Sequence, residues 1–210
     1  MDTFIPLLRS SPVVPVLVID GLDQAARLAD ILVAAGIRTA EVTLRTPAAL
    51  DAIRRMGQGT GLCVGAGTVL TPEDVARATD AGARFLVTPG TPARLVPAFL
   101  GAGVPVIPGI ATPTEAIDRL SDGFRVLKLF PAEQYGGLGT IQAMGGPLPQ
   151  ALFCPTGGIG RDKVAAYLAV RSVVAVGGTW IAPATLLRAG DWDTIAENAR
   201  AAAAFGPSAT

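Results

Sequence analysis

The sequence predicts an α/β protein folded as a single compact (β/α)8 barrel, and two observations support this architecture. Short apolar segments rich in Val, Ile and Leu alternate with segments of helical periodicity along the whole chain. Eight strand-then-helix units fit within the 210 residues, which we assign to one domain, residues 1–210. A doubly wound open sheet is the alternative, because the number of strands does not establish closure.

The eight predicted strands are apolar runs whose composition fits parallel strands that are buried on both faces. The carboxyl ends of such strands meet at one edge, where we expect the functional residues. The predicted strands are residues 13–19, 39–44, 62–67, 84–89, 104–108, 125–130, 151–156 and 172–177.

Four helices between these strands are predicted to begin at a repeated Thr-Pro dipeptide. Threonine accepts a hydrogen bond from the first helical turn, and proline at the first helical position removes no intrahelical bond. Helices are predicted to end at Gly36, Gly82 and Gly103, whereas segment 136–150 is a poor helix by propensity. The dipeptides are Thr46-Pro47, Thr71-Pro72, Thr91-Pro92 and Thr112-Pro113.

Composition argues against several classes of partner. The 17 basic and 17 acidic residues cancel and form no basic patch, so we do not expect nucleic-acid binding. The start of the chain does not resemble a signal peptide, and segment 13–19 is too short to span a bilayer. Cys63 and Cys154 lie in separate predicted strands without metal-binding spacing. We therefore expect a cytoplasmic protein without a membrane partner.

A lysine stands inside the predicted strand "RVLKLF". This residue is Lys128, and the chain contains only one other lysine, Lys163. In "TAEVTLRT" the period of two places Glu41 and Arg45 on the face opposite the apolar residues, towards the barrel interior. A structural Glu41–Arg45 ion pair, or a snorkelling or ion-paired Lys128, is the alternative to a catalytic role. Together the three charges favour a site, because buried charge is costly unless it is used.

The chain contains no histidine, and this restricts the chemistry available to it. The usual proton shuttle and the commonest metal ligand are missing, and no thiol or carboxylate cluster has metal-like spacing. Acid–base chemistry then falls to a carboxylate, and the available nucleophile is an amine. Apolar walls and a neighbouring cation such as Arg45 favour the neutral amine, which attacks carbonyls. Lys128 is therefore predicted to form a Schiff base.

Two glycine-rich turns follow the last two predicted strands. They are "CPTGGIGRDK" at 154–163 and "VGGTW" at 176–180. In (β/α)8 barrels these two loops commonly bind phosphate through backbone N–H groups and a short helix N-terminus. A single Gly-Gly pair is usually only a turn, but two pairs in the two expected loops predict a phosphate site.

The chain resembles the class I 2-keto-3-deoxy-6-phosphogluconate (KDPG) aldolases, which also act on 4-hydroxy-2-oxoglutarate (KHG). The resemblance extends over nearly the whole chain. It implies a (β/α)8 barrel, a homotrimer, no metal or other cofactor, and a small 2-keto acid phosphate as substrate. The motifs that carry it are "EVTLRT", "GAGTVL", "TPG", "PGIATPTE", "KLFPAE", "FCPTGGI" and "VGGTWI".

The resemblance also implies roles for individual residues. Lys128 matches the Schiff-base lysine, and Glu41 matches the general acid/base. The implied substrate-binding residues hold the carboxylate end of the substrate or, in the two glycine turns, its phosphate end. Two positions depart from the usual motifs: Leu129 replaces the Phe of "KFFPAE", and Thr179 replaces the Ser of "GGSW". The implied substrate-binding residues are Arg45, Thr68, Pro89, Phe130, Thr156, Gly157, Gly158, Gly177, Gly178 and Thr179.

The implied reaction is cleavage of KDPG to pyruvate and glyceraldehyde 3-phosphate. Glu133 is the alternative acid/base, ranked below Glu41 because it follows a proline beyond the strand end. Three other functions stay open: KHG as the main substrate, a different phosphate-binding barrel enzyme such as an isomerase or synthase, and a catalytically silent scaffold. Retention of Lys128, Glu41 and Arg45 argues against the scaffold.

Overall fold

The structure, a computed structural model, describes residues 3–207 and contains nine parallel strands, with helices between all consecutive strands except β5 and β6. The predicted domain, residues 1–210, therefore includes termini, 1–2 and 208–210, that lie outside the described residues. The strands are β1 (Val13–Leu17), β2 (Thr39–Thr43), β3 (Cys63–Gly67), β4 (Leu86–Val87), β5 (Val106–Ile107), β6 (Gly109–Ile110), β7 (Val126–Leu129), β8 (Leu152–Phe153) and β9 (Val176–Gly178).

Ten α-helices lie within residues 3–207, and one of them precedes the first strand. None of these helices combines the length and the apolarity needed to cross a bilayer. Three 3₁₀ turns, Ala93–Leu95, Glu133–Tyr135 and Arg161–Lys163, precede α5, α7 and α8. The helices are α1 (Phe4–Ser10), α2 (Leu22–Ala34), α3 (Ala49–Gly57), α4 (Pro72–Asp80), α5 (Val96–Leu100), α6 (Pro113–Ser121), α7 (Gly137–Gly145), α8 (Val164–Leu168), α9 (Ala184–Ala189) and α10 (Trp192–Ala203).

The strands form two parallel sheets, so the prediction of one closed eight-stranded (β/α)8 barrel is wrong. The larger sheet has the order β5-β4-β3-β2-β1-β9, and the smaller has the order β6-β7-β8. Between β5 and β6 lies Pro108, which has no N–H to donate to a ladder. Isolated bridges, Phe153 with Val173 and Thr156 with Gly177, link β8 and its continuation to the β9 segment.

Several strands are shorter than the apolar runs that predicted them. Strands β4, β5 and β8 each have two residues, although their runs were six, five and six residues long. Prolines flank all three strands: Pro89 follows β4, Pro105 and Pro108 enclose β5, and Pro155 follows β8. A proline cannot donate to a ladder, so the hydrogen-bonded portion of each run is short.

The Thr-Pro dipeptides serve two different purposes. Thr71 and Thr112 cap α4 and α6 with complete capping boxes, and proline occupies the first helical turn as predicted. Thr46 and Thr91 do not cap helices: their hydroxyls donate to the carbonyls of Ile19 at 2.5 Å and Gly109 at 3.1 Å. Each of these two threonines therefore links its loop by a hydrogen bond to a neighbouring chain segment.

The core has two parts, one between sheet and helices and one on the opposite face of the strands. In the second part, which we term the inner cluster, Phe4 and Leu8 of α1 contact the first residues of several strands. The rings of Phe4 and Phe85 lie 5.3 Å apart. Other members include Cys63 and Val126, which begin β3 and β7. The inner cluster thus covers the amino ends of several strands and extends to Val87 and Ile107, which end β4 and β5.

Candidate active site

Lys128 and Glu41 form an ion pair between β7 and β2. Lys128 Nζ lies 3.3 Å from Glu41 Oε1, and the two residues are 4% and 3% exposed. Lys128 is almost completely buried, so it does not snorkel. Its neighbours Leu127 and Leu129 pack in the layer between sheet and helices, and the strand alternation turns Lys128 to the other face. The lysine is fixed by its strand, since its N–H donates to Pro108 O at 2.8 Å.

Glu41 is placed by the same alternation on β2. Ala40 and Val42 pack towards the helices, which directs the carboxylate to the face of the inner cluster. A Cβ atom at Gly67 would lie 2.0 Å from Glu41 Oε1. The space for this carboxylate therefore depends on a glycine in the adjacent strand β3. Sequence reasoning missed Gly67, although it lies inside the motif "GAGTVL".

The immediate surroundings of the pair are apolar or neutral. The ring centroid of Phe130 is 5.1 Å from Lys128 Nζ. Burial raises the pKa of the Cys154 thiol to about 12, while the charges of Lys128 and Glu41 act on that pKa in opposite directions. Cys154 is therefore a neutral thiol at ordinary pH. The two charges compensate each other in a site with little access to water.

The alternative ion pair between Glu41 and Arg45 is not formed. Within residues 3–207, Glu41 has Lys128 as its ion-pair partner, and Arg45 makes no salt bridge. Arg45 lies in the turn after β2, with an exposed side chain and its N–H donating to Thr43 O at 2.8 Å. Arg45 is thus free to meet a ligand at the carboxyl edge of the sheet.

Other predicted site residues also lie within two residues of a strand end. Thr68 succeeds β3, Pro89 lies two residues beyond β4, and Phe130 succeeds β7. Because the strands are parallel, these positions belong to the same edge. Thr68 has φ +57°, a left-handed conformation that is costly for a β-branched residue and typical of functional sites.

The two glycine turns approach each other across the bridge between Thr156 and Gly177. A Cβ atom at Gly177 would lie 2.3 Å from Thr156 Oγ1, so this close approach requires glycine. Gly157 and Gly158 have φ +104° and +77°. Their N–H groups donate to no acceptor within residues 3–207. These groups are available to an anion.

The remaining predicted residues of the second turn lie at its end. Gly178 is buried at the end of β9, and Thr179 directly after it is exposed. A Cβ atom at Gly178 would lie 2.7 Å from Ile181 Cδ1 and 2.9 Å from Trp180 Nε1. This turn therefore also requires glycine for close packing.

Glu133, the alternative acid/base, is engaged elsewhere. Its carboxylate accepts hydrogen bonds from Lys163 and from the hydroxyl of Tyr167. These bonds, the one from Lys163 first, lower the pKa of Glu133. Sequence reasoning did not identify Tyr167, a fully buried phenol of α8 whose only local signal is its place in an apolar helix face. The geometry leaves Glu41 as the carboxylate beside Lys128.

A family model described as "Aldolase: KDPG and KHG aldolase" matches residues 5–198 of the chain. Among characterised proteins, the chain is 46% identical over 197 residues to the KHG/KDPG aldolase of Escherichia coli (strain K12). That match covers 93% of this chain and 92% of the relative.

Two solved structures are similar over almost their full length. One is the KDPG aldolase from Legionella pneumophila with pyruvate captured at low pH as a covalent carbinolamine intermediate, at 39% identity and TM-score 0.90. The match covers 94% of this chain and 97% of that one. The other is the Zymomonas mobilis ZM4 enzyme with 3-phosphoglycerate, at 40% identity and TM-score 0.89, covering 98% and 97%.

Proposed function

This chain belongs to the KDPG and KHG aldolase family, and we propose that it cleaves KDPG through Lys128 as nucleophile and Glu41 as acid and base. It is a Schiff-base aldolase, a carbon–carbon lyase whose products are pyruvate and glyceraldehyde 3-phosphate. The observation that carries the assignment of residues is the buried contact of 3.3 Å between Lys128 Nζ and Glu41 Oε1. It brings a nucleophile and a proton carrier to one point.

The first half of the reaction forms the covalent intermediate. Lys128 Nζ, after giving its proton to the adjacent carboxylate, attacks the C2 carbonyl of the substrate to form a carbinolamine. Glu41 returns the proton to the carbinolamine hydroxyl, which leaves as water, so Glu41 is again a carboxylate and an iminium ion is formed whose nitrogen can accept the electron pair of the bond to be broken. The apolar neighbours of Lys128, including Phe130, limit competition from solvent.

The second half breaks the C3–C4 bond. Glu41, as carboxylate, accepts the proton of the C4 hydroxyl while the C3–C4 electron pair moves towards the iminium nitrogen. Glyceraldehyde 3-phosphate leaves, and an enamine of pyruvate stays on Lys128. Glu41 returns a proton to C3 of the enamine, and water then hydrolyses the iminium to pyruvate and free lysine. One carboxylate beside the amine is sufficient for both proton transfers.

We assign the two ends of the substrate to different parts of the carboxyl edge. Arg45 and Thr68 are proposed to hold the carboxylate, with Pro89 and Phe130 beside the reacting carbons. The turns at 156–158 and 177–179 are proposed to hold the phosphate. The unbonded N–H groups of Gly157 and Gly158 support this, because such groups stabilise anions without a positive side chain.

Reductive trapping with pyruvate tests the nucleophile. Borohydride added in the presence of pyruvate should reduce the Schiff base to one 1-carboxyethyl group on the peptide that contains Lys128, and Lys128→Ala should abolish the adduct. Lys163, the only other lysine, provides an internal control in the same mass spectrum. An adduct on Lys163 alone, or none during turnover, would contradict the mechanism.

KHG is a second candidate substrate, supported by the E. coli relative, which is a KHG/KDPG aldolase. KHG undergoes the same bond cleavage but has no phosphate. Comparable kcat/KM values for the two substrates would favour KHG as the working substrate, whereas a large preference for KDPG would support the phosphate site.

We also propose a homotrimer that acts in the cytoplasm, with the chain as one domain. Leu100 and Ile117 are large apolar side chains that are 59% and 51% exposed. Both line cavities that also contact Phe124. A subunit contact over this area would cover them, which supports association. The cytoplasmic location rests on the substrate class, since phosphorylated sugar acids do not diffuse across membranes.

A further inference from the structure

The carboxylate of Glu133 connects the loop after β7 to the segment after β8. Glu133 Oε1 accepts the hydroxyl of Tyr167, and Oε2 accepts the ammonium of Lys163. Tyr167 is 1% exposed in α8, while Lys163 ends the 3₁₀ turn that precedes α8. One carboxylate thus holds two residues that follow the glycine turn at 157–158.

Backbone hydrogen bonds join the same two segments. The N–H of Ala132 donates to Thr156 O at 2.8 Å, and the N–H of Glu133 donates to Gly157 O at 3.1 Å. A Cβ atom at Gly158 would lie 2.9 Å from Glu133 Cβ. The glycine turn therefore packs directly against Glu133 with no space between them.

These bonds determine where two N–H groups point. In a trans peptide the C=O and the following N–H point in opposite directions. Because Thr156 O faces Ala132, the N–H of Gly157 is turned away from the β7 loop. Because Gly157 O faces Glu133, the N–H of Gly158 is turned away as well. In the described part of the chain, neither the N–H of Gly157 nor the N–H of Gly158 donates to an acceptor.

We propose that Glu133, held by Tyr167 and Lys163, is a positioning residue that aims the Gly157 and Gly158 N–H groups and so determines the preference for a phosphorylated substrate. The inference rests on the proposed phosphate site. Lys163 neutralises the carboxylate, which removes its repulsion of a bound phosphate. The bonds from Lys163 and Tyr167 lower the pKa of Glu133, as expected of a carboxylate that is held in its ionised form.

Substitutions that release Glu133 without altering it test this proposal. Tyr167→Phe removes one hydroxyl, and Lys163→Met removes one half-exposed cation. Each should raise KM for KDPG about 10-fold, the effect of losing a charge-assisted hydrogen bond. kcat/KM for KHG and the yield of the pyruvate adduct on Lys128 should stay within about twofold of the parent.

Two matched variants separate positioning from loss of charge. Arg161→Met removes a cation from the same 3₁₀ turn, and Arg161 makes no salt bridge within residues 3–207, so this variant should retain the parent KM. Lys163→Arg keeps the ion pair and should restore most of the preference for KDPG. Equal losses on KDPG and KHG, or equal effects of Arg161→Met and Lys163→Met, would overturn the proposal.

Calorimetry with inorganic phosphate distinguishes failure of this inference from failure of the proposed function. Phosphate binding that Lys163→Met weakens and Arg161→Met does not would support the positioning role even if the parent cleaved neither substrate. Parent enzyme that cleaves KDPG, with phosphate affinity unchanged by Lys163→Met, would overturn the positioning role and leave the reaction intact.

Discussion

At the scale of single residues, the Lys128–Glu41 pair has a structural cost as well as a chemical use. Both charges are almost completely removed from water and compensate each other. Removing one partner of such a pair typically destabilises a protein by about 3–5 kcal/mol, because the other charge is left alone. Variants at these positions therefore have to be checked for folding before a loss of activity is interpreted.

Glu41→Gln separates proton transfer from Schiff-base formation. Glutamine fills the same volume but cannot carry the proton, so we expect cleavage and the exchange of pyruvate methyl protons to slow by about 10²–10⁴-fold. Some pyruvate adduct on Lys128 should still form. NMR measurement of proton exchange is decisive, with Glu133→Gln as the matched carboxylate control. Parent-rate exchange in Glu41→Gln together with loss in Glu133→Gln would reverse the assignment.

At the scale of elements, the strands supply functional side chains and the space those side chains need. β2 provides Glu41, β7 provides Lys128, and β3 provides a gap at Gly67 where the carboxylate lies. The position of the Glu41 carboxylate therefore depends on the backbone of the adjacent strand β3. The glycine of β3 is therefore part of the site although it contributes no functional group.

Gly67→Ala tests this dependence. The added methyl group would lie 2.0 Å from Glu41 Oε1, which is far inside van der Waals contact, so the carboxylate has to move. We expect kcat to fall by about 10²-fold or more, the size of a lost general base. Gly21→Ala, whose methyl group would meet nothing within 4 Å, is the control. Full activity in Gly67→Ala would show that the observed position of Glu41 is unnecessary.

At the scale of the whole molecule, burial of ionisable groups links the stability of the fold to pH. Cys154 keeps its proton in the folded protein up to a pKa of about 12, against an ordinary value of 9.0. The unfolded chain loses that proton earlier. The contribution of Cys154 to the free energy of unfolding is thus complete below pH 9 and falls as the pH rises towards 12.

Urea unfolding at pH 8 and pH 10.5 measures this linkage. Cys154→Ala should be less stable than the parent at pH 8 because it leaves a small cavity, and the difference should shrink at pH 10.5. Cys63→Ala should show a smaller change, because the pKa of Cys63 is raised by burial but lowered by Arg84. A difference between Cys154→Ala and the parent that does not vary with pH would contradict the linkage.

The sequence predicted the positions of individual side chains better than the connection of the sheets. Period-two alternation and apolar neighbours are local properties, and they were sufficient to place Lys128 and Glu41 on the same face. The division into two sheets depends on which prolines interrupt which ladders, and no local pattern encodes it. Thr46 and Thr112 illustrate the same limit, since both precede a proline. The hydroxyl of Thr46 donates to a distant carbonyl, whereas Thr112 caps a helix.

Packing of α1 against the amino ends of the strands has a consequence for the order in which ligands enter and leave the site. Phe4 and Leu8, with the rest of the inner cluster, pack at the amino ends of several strands within residues 3–207, so we expect ligands to approach Lys128 from the carboxyl edge. The ligand that enters the site first lies deepest, and it cannot leave before the ligand that entered after it. In the cleavage direction the aldehyde must therefore leave before pyruvate, and in the reverse direction pyruvate must arrive first. Access from the carboxyl edge thus agrees with the order of events that the covalent chemistry requires.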